Sequence, residues 1–280
     1  MYIHFLMVLK KLFLPKYITD NSLPSMSKNH LRYICPLIVG LFWCSFSMGQ
    51  NSFVMQQKNA YRVSSAFMSK EWILQQQFEQ KKIEWPARYV YIRSFKYDSQ
   101  LEVWVKNKPS EKYTLFKTYR VCMQSGTMGP KRFQGDYQVP EGFYYVNEFN
   151  PRSNYHLSLG LNYPNASDRI LSDSLRPGNG IYIHGSCVSI GCVAVTDSDI
   201  EEIYILTSYA RDAGQEFIPV HIFPIRYNQN KSVEYFNNFI KNNPSLVKFS
   251  MQLKRAYDEF EQTHQIPLIM IDREGDYVIN

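Results

Sequence analysis

The rhythm of hydrophobic and polar positions changes three times along the chain. Residues 53–83 are rich in Gln, Lys and Glu, with apolar side chains at Val63, Phe67, Leu74 and Phe78 and no Gly or Pro. That spacing predicts one or two solvent-facing helices. From Tyr89 the runs YVYIRSF, LEVWVKN and YTLFKTYRVCM are β-branched and aromatic, and turn-like segments such as KYDSQ and NKPSEK separate them. These predict strands in hairpins. A Gly/Pro-rich stretch, SGTMGPKRFQGDYQVPEGFYYV, and a loop-rich stretch, FNPRSNYHLSLGLNYPNASDRI, lead to candidate strands IYIHG at 181 and CVAV at 192.

The next helix is the clearest in the sequence. Ser198 with Glu201 three residues on reads as a capping box, Ile200, Ile203, Tyr204, Thr207 and Ala210 form its stripe, and Gly214 ends it. A strand FIPVHIF closes the strand-rich section. Two helices follow, the second starting at Pro244 with Leu246, Phe249, Leu253, Ala256, Tyr257 and Phe260 on one face. A short strand pair around LIMID and DYVIN ends the chain. The pattern divides into an N-terminal extension at 1–49, a helical segment at 50–87, a strand-rich domain at 88–226 and a helical tail at 227–280.

Composition is that of a folded protein: 280 residues, 45% hydrophobic and 15% aromatic, with a formal charge of +6. The charge changes meaning once it is located. Lys28 to Gln50 has a basic start, an uncharged apolar run from Tyr33 to Phe46 and small residues at Ser47 and Gly49, the three parts of a secretory signal. The run falls below the roughly 18–20 residues that span a bilayer, which favours cleavage after Gly49 over an uncleaved anchor helix. A second apolar-basic stretch before it suggests that translation starts at Met26. Without the first 49 residues the excess falls to +2, so basicity gives no reason to expect a nucleic-acid partner, and the membrane is met only through the signal segment.

Cys35 and Cys44 leave with the signal, so the exported chain keeps Cys122, Cys187 and Cys192. An odd number in an oxidising compartment implies a free thiol, alone or beside one disulfide. For Cys187, a disulfide with Cys122 or a packed core position is favoured over a reactive thiol. Strand alternation puts Tyr182 and His184 on one face, away from Ile181 and Ile183. An imidazole that lowers the pKa of a nearby thiol and takes its proton makes that thiol a nucleophile, and Gly191 before Cys192 permits close backbone approach of a carbonyl. A zinc site from His184, Cys187 and Cys192 matches no familiar ligand spacing.

The run His184-Gly-Ser-Cys-Val-Ser189-Ile-Gly191-Cys192 resembles the active-site motif of the L,D-transpeptidase catalytic (YkuD) domain family, in particular its YafK-type branch with a short spacer between histidine and cysteine. GPKRFQGDYQVPEGFY, NPRSNYHLSLGLNYPNASDR and IPVHIFPIR resemble that branch too, so the likeness covers about residues 88–226 with a similar helical tail. The resemblance implies a mainly β fold, a sandwich with flanking helices at both ends. It implies an enzyme, without cofactor, that transfers acyl groups on peptidoglycan stem peptides in the periplasm or cell envelope. Cys192 matches the nucleophile and His184 its base. The Gly185 carbonyl stands where the imidazole is oriented, the Gly191 and Cys192 N–H groups where an oxyanion is held, and Ser189 at the serine of the motif. Tyr182, Arg169 and His156 are secondary candidates for substrate contact. Ile190 and Ala194 replace polar residues common in the wider family. The branch also implies an alternative: an amidase that detaches an amino acid or a wall-anchored protein by the same chemistry. A non-catalytic wall-binding protein is the rival of another class.

Overall fold

The computed structural model describes residues 52–280. The signal-like segment, the start at Met26, Cys35 and Cys44 lie outside the described residues. Two helices come first, α1 (Phe53–Lys58) and α2 (Tyr61–Gln80). Then follow β1 (Tyr89–Phe95), β2 (Gln100–Lys106), β3 (Thr114–Arg120), β4 (Gly142–Asn150) and β5 (Ser158–Leu161). After α3 (Ala166–Leu171) come β6 (Tyr182–His184), β7 (Val193–Ala194), α4 (Asp197–Asp212) and β8 (Ile218–Phe223). The tail holds α5 (Asn230–Ile240), α6 (Pro244–Thr263) and the hairpin of β9 (Ile269–Ile271) and β10 (Tyr277–Ile279).

Eight strands form one curled sheet in the order β3-β2-β1-β8-β4-β5-β6-β7. The expected mainly β architecture with helices at both ends is present, built on a continuous sheet. Its central strands are buried on both faces, and alternation sends their side chains into two cores. Val90 and Ile92 of β1, with Val220 and Ile222 of β8, join a core completed by α1, α2 and α4. Phe95 and Phe223 face the other way, against Phe249, Leu253 and Tyr257 of α6 and Tyr277 of β10.

Both N-terminal helices therefore do more than face solvent. Val63, Phe67, Leu74 and Phe78, the apolar positions seen in the sequence, are all buried in the sheet's first core. Helix α4 starts earlier than its expected cap. Thr196 is the N-cap and accepts from the Asp199 N–H, a Thr-x-x-Asp pattern two residues upstream of Ser198 and Glu201. Glu201 is thereby free of capping, and its side chain pairs with His156 instead. The strand expected from Cys192 begins at Val193, because Ser189 holds the preceding residues in a turn.

Candidate active site

Strands β6 and β7 run parallel, with Ile183 opposite Val193 and His184 opposite Ala194. Side chains repeat every two residues, so Cys192 shares the face of Ala194 and of its partner His184. Ile183 and Val193 anchor the opposite face in the core with no exposure. The pairing converts an eight-residue spacing in sequence into neighbours on one surface. Cys192 and His184 both line a cavity of about 380 Å³, with Tyr182, Gly180, Ser189 and Tyr155 among the other walls.

The His184 Nδ1–H donates to the Gly185 carbonyl at 2.6 Å. A carbonyl only accepts, so Nδ1 carries the proton and Nε2 is left as the basic nitrogen of a neutral ring. Burial lowers this imidazole below its ordinary 6.5, against the opposing pull of the Gly185 carbonyl. Burial also pushes the Cys192 thiol above 9.0, while a hydrogen bond with the Tyr182 backbone and the charge of Lys131 act the other way. The resting pair is thus neutral thiol and neutral imidazole. The Tyr155 ring lies 4.7 Å from the His184 ring at 32°, covering it.

The loop between them is held at several points. A disulfide joins Cys187 to Cys122, and Cys192 is the free cysteine among the described residues. Cys187 is therefore not available as a thiolate ligand for a metal. Ser186 and Cys187 have φ of +67° and +43°, left-handed values that non-glycine residues adopt at a cost. The Asp197 carboxylate at the start of α4 accepts the Ser186 N–H at 2.7 Å and sits where a Cβ on Gly185 would come within 2.5 Å of it. Glycine is needed at 185 for that approach. Gly191 has φ +140°, a conformation closed to side-chain-bearing residues. The Gly191 and Cys192 N–H groups donate to Ser189 Oγ at 3.1 and 2.9 Å, and Ser189 donates to the Cys192 carbonyl at 2.7 Å. Those two donors are satisfied internally in this structure.

The secondary candidates separate. Tyr182 lines the cavity, and its hydroxyl donates to Glu148 at 3.1 Å. His156 stands behind the site: its Nε2 pairs with Glu201 at 2.8 Å, and its Nδ1 lies 3.9 Å from Asp197. Arg169 is exposed in the last turn of α3, with its Nε donating to the Pro164 carbonyl. The walls from Asn150, Ser153, Asn154 and Ser158 lie in the NPRSNYHLSLGLNYPNASDR run, none of them singled out as a site residue by the sequence. They come from the end of β4, the β4–β5 connection and the start of β5, which reach the site because Ser158 pairs with His184 across β5 and β6. Arg62 of α2 fixes that connection by donating to the Ser153 and His156 carbonyls at 2.5 and 2.9 Å.

The L,D-transpeptidase catalytic domain (YkuD) family model matches residues 88–222. YafK of Escherichia coli K12, itself an L,D-transpeptidase by designation only, is 39% identical over 194 residues, which cover 68% of this chain and 74% of YafK. The chain belongs to the YkuD L,D-transpeptidase family. YafK of Escherichia coli O157:H7 matches to the same extent. Among solved structures, the helical cell shape determining protein Pgp2 from Campylobacter jejuni is 19% identical, with a TM-score of 0.40 over 66% of this chain and 73% of Pgp2. Bd1075 from Bdellovibrio bacteriovorus is 18% identical, with a TM-score of 0.36 over 67% of this chain and 78% of Bd1075. The YkuD family is one of peptidoglycan-modifying enzymes. Among the described residues no helix is long and apolar enough to cross a membrane.

Proposed function

We propose that this YkuD-family protein is an exported L,D-transpeptidase that forms an acyl-enzyme on Cys192. The observation that carries the reading is the His184 Nδ1–Gly185 hydrogen bond, which leaves a basic Nε2 on a ring sharing one cavity with a free thiol. Because both groups rest neutral, the thiol loses its proton as it attacks, with His184 as the general base. Sγ bonds to the carbonyl carbon on the L-centre of the stem-peptide diamino acid, and the electron pair moves to the carbonyl oxygen. His184 returns the proton to the leaving amine of the D-amino acid. An acceptor amine, deprotonated by His184, then displaces Cys192 and gives the new amide; water gives hydrolysis.

Ser189 occupies the Gly191 and Cys192 N–H groups in the resting site. A rotation about its χ1 would free both donors for the oxyanion, at the cost of three hydrogen bonds, two of which the oxyanion replaces with stronger charge-assisted ones. Residues 28–49 supply the route of export. Incubation of the purified protein with disaccharide-peptides, followed by mass analysis, tests the proposal. Release of a D-amino acid with formation of a cross-link is expected, and a product pattern identical for the wild type and Cys192→Ala would refute it. Detachment without a cross-link would assign the protein to the amidase direction.

A further inference from the structure

Away from the cysteine, the ring of Tyr97, just after β1, stacks on that of Tyr235 in α5, with centroids 4.7 Å apart and planes at 21°. Both are large aromatic side chains left about half exposed, at 45% and 50%. Such exposure forgoes burial energy that a structural role would collect. Tyr97 borders two clefts, and Tyr235 lines the first of them. One, of about 340 Å³, is walled by Ser99, Gln124, Thr127 and the exposed Phe239. The other, of about 810 Å³, is walled by Gln100, Arg226, Asn228, Gln229 and Asn230.

The charges beside these clefts are matched within the protein. Arg226 binds Gln100 and Glu102, Asp98 accepts from the Arg226 N–H and from Ser232, and Lys96 binds Glu141 and two carbonyls. What faces solvent is therefore mostly aromatic ring together with Thr127, Asn228, Gln229 and Asn230, with exposed Lys231 beside them. That combination suits a neutral, polyhydroxylated chain: sugar C–H faces pack on aromatic rings, while hydroxyl and acetamido groups pair with Asn and Gln.

The first cleft also adjoins the candidate site. Its wall at Thr127 is bound on both N–H and C=O by the Gln138 side chain, at 2.8 and 2.6 Å. The Gln138 carbonyl oxygen lies 3.5 Å from where a Cβ on Gly191 would be. One residue thus separates the cleft from the Gly191–Cys192 step. The same segment passes β7, where Met123 bridges to Ala194.

We infer that the Tyr97–Tyr235 clefts bind the amino-sugar backbone of the wall polymer, so that the chain is held beside the cavity that receives its peptide branch. The inference rests on the proposed substrate class, yet it has a test of its own. Titration calorimetry with peptide-free glycan strands and with tetra-N-acetylchitotetraose does not depend on catalysis. Wild type is expected to bind the glycan strands, and Tyr97→Ala with Tyr235→Ala is expected to weaken that binding at least tenfold. The same double variant is expected to lose at least tenfold in kcat/KM, through KM, on glycan-linked stem peptides while keeping its rate on free tetrapeptide. No binding of glycan strands by wild type, or equal binding by the double variant, would overturn the inference. An equal loss on free and glycan-linked peptide would do so too. Glycan binding by a protein that fails to turn over either peptide would retain the cleft and remove the transpeptidase reading.

Discussion

Two buried polar regions lie at opposite ends of the sheet order, and they treat charge differently. Under α6, Arg93 is 1% exposed, yet its guanidinium meets Glu102 at 2.7 Å and Glu261 at 2.8 Å, with the faces of Phe260 and Trp104 4.7 and 4.9 Å away. Arg226 also binds Glu102, and the Trp104 indole donates to it at 2.7 Å. Burial alone would raise the Glu102 pKa, but the Arg93 charge and these hydrogen bonds hold it below the ordinary carboxylate value. In the candidate site, by contrast, Cys192 and His184 have no ionic partner of that kind, and burial keeps both neutral. Where charges are paired, ionisation is locked and serves the fold. Where they are left unpaired, a proton remains available to move, which is what nucleophilic chemistry needs.

The sharpest way to break this contrast is to remove the mobile proton's holders. Cys192→Ala is expected to abolish acylation by a carbapenem, and His184→Ala to slow it by about 10²–10⁴-fold, with thermal unfolding little changed in either. Unfolding of both variants at much lower temperature would place these residues with the structural set. The converse substitution is Glu102→Ala, which removes the buried carboxylate that Arg93 and Arg226 share and leaves Arg93 with Glu261 alone. It is expected to cost about 3–5 kcal/mol in denaturant unfolding, yet to leave the alkylation rate of Cys192 in the folded fraction unchanged.

The disulfide sits between these extremes, since it is structural but lies inside the site's own loop. Cys122 and Cys187 are 65 residues apart, and replacing both with Ser is expected to cost about 2–4 kcal/mol by releasing that loop in the unfolded chain. If the bond also holds the left-handed Ser186 and Cys187 in place, hydrogen exchange across residues 186–191 will accelerate more than elsewhere. Uniform acceleration would assign the bond to global stability alone.

The most gradual effect is a pH slope. His221 is buried against Tyr91, whose hydroxyl is 2.7 Å from its Nδ1, and burial, with the Arg93 charge, lowers its pKa to about 3. Above pH 6.5 the ring is neutral in both folded and unfolded chains, so stability is fully present. As pH falls from 6.5 toward 3 the unfolded chain takes up a proton that the folded one refuses, and stability is lost by at most about 1.4 kcal/mol per pH unit. His221→Gln is expected to flatten that part of the stability curve, and an unchanged slope would show that His221 protonates in place. For reactivity the signs are separate. His184 keeps its basic form to below pH 6.5, whereas iodoacetamide alkylation of Cys192 is expected to rise with pH through a value above 9.0.

Much of the architecture was legible because local patterns dominated it. The α6 face from Leu246 to Phe260, the terminal hairpin and the strands from Tyr89 onward follow from periodicity that tertiary packing did not override. The cap of α4 was misplaced because Thr196–Asp199 and Ser198–Glu201 offer the same chemistry two residues apart, and only the trajectory of the chain leaving β7 selects between them. His156 and Arg169 looked like substrate contacts because loop histidines and arginines carry no sign of what they bind. Folding gives His156 to Glu201 and turns Arg169 back to the Pro164 carbonyl just ahead of its helix.

The sequence by itself determined the family and offered Cys192 and His184 as the candidate pair, since both and their glycines lie within nine consecutive residues. It also implied at least one unpaired cysteine among Cys122, Cys187 and Cys192. Only the tertiary structure decided between a disulfide to Cys122 and a packed core position for Cys187, and that Tyr155 covers His184. The reason is strand pairing: β5 on β6 and β6 on β7 bring together residues that no spacing in the chain relates. Burial then sets both pKa values, and it is a property of the packed surroundings rather than of any one residue.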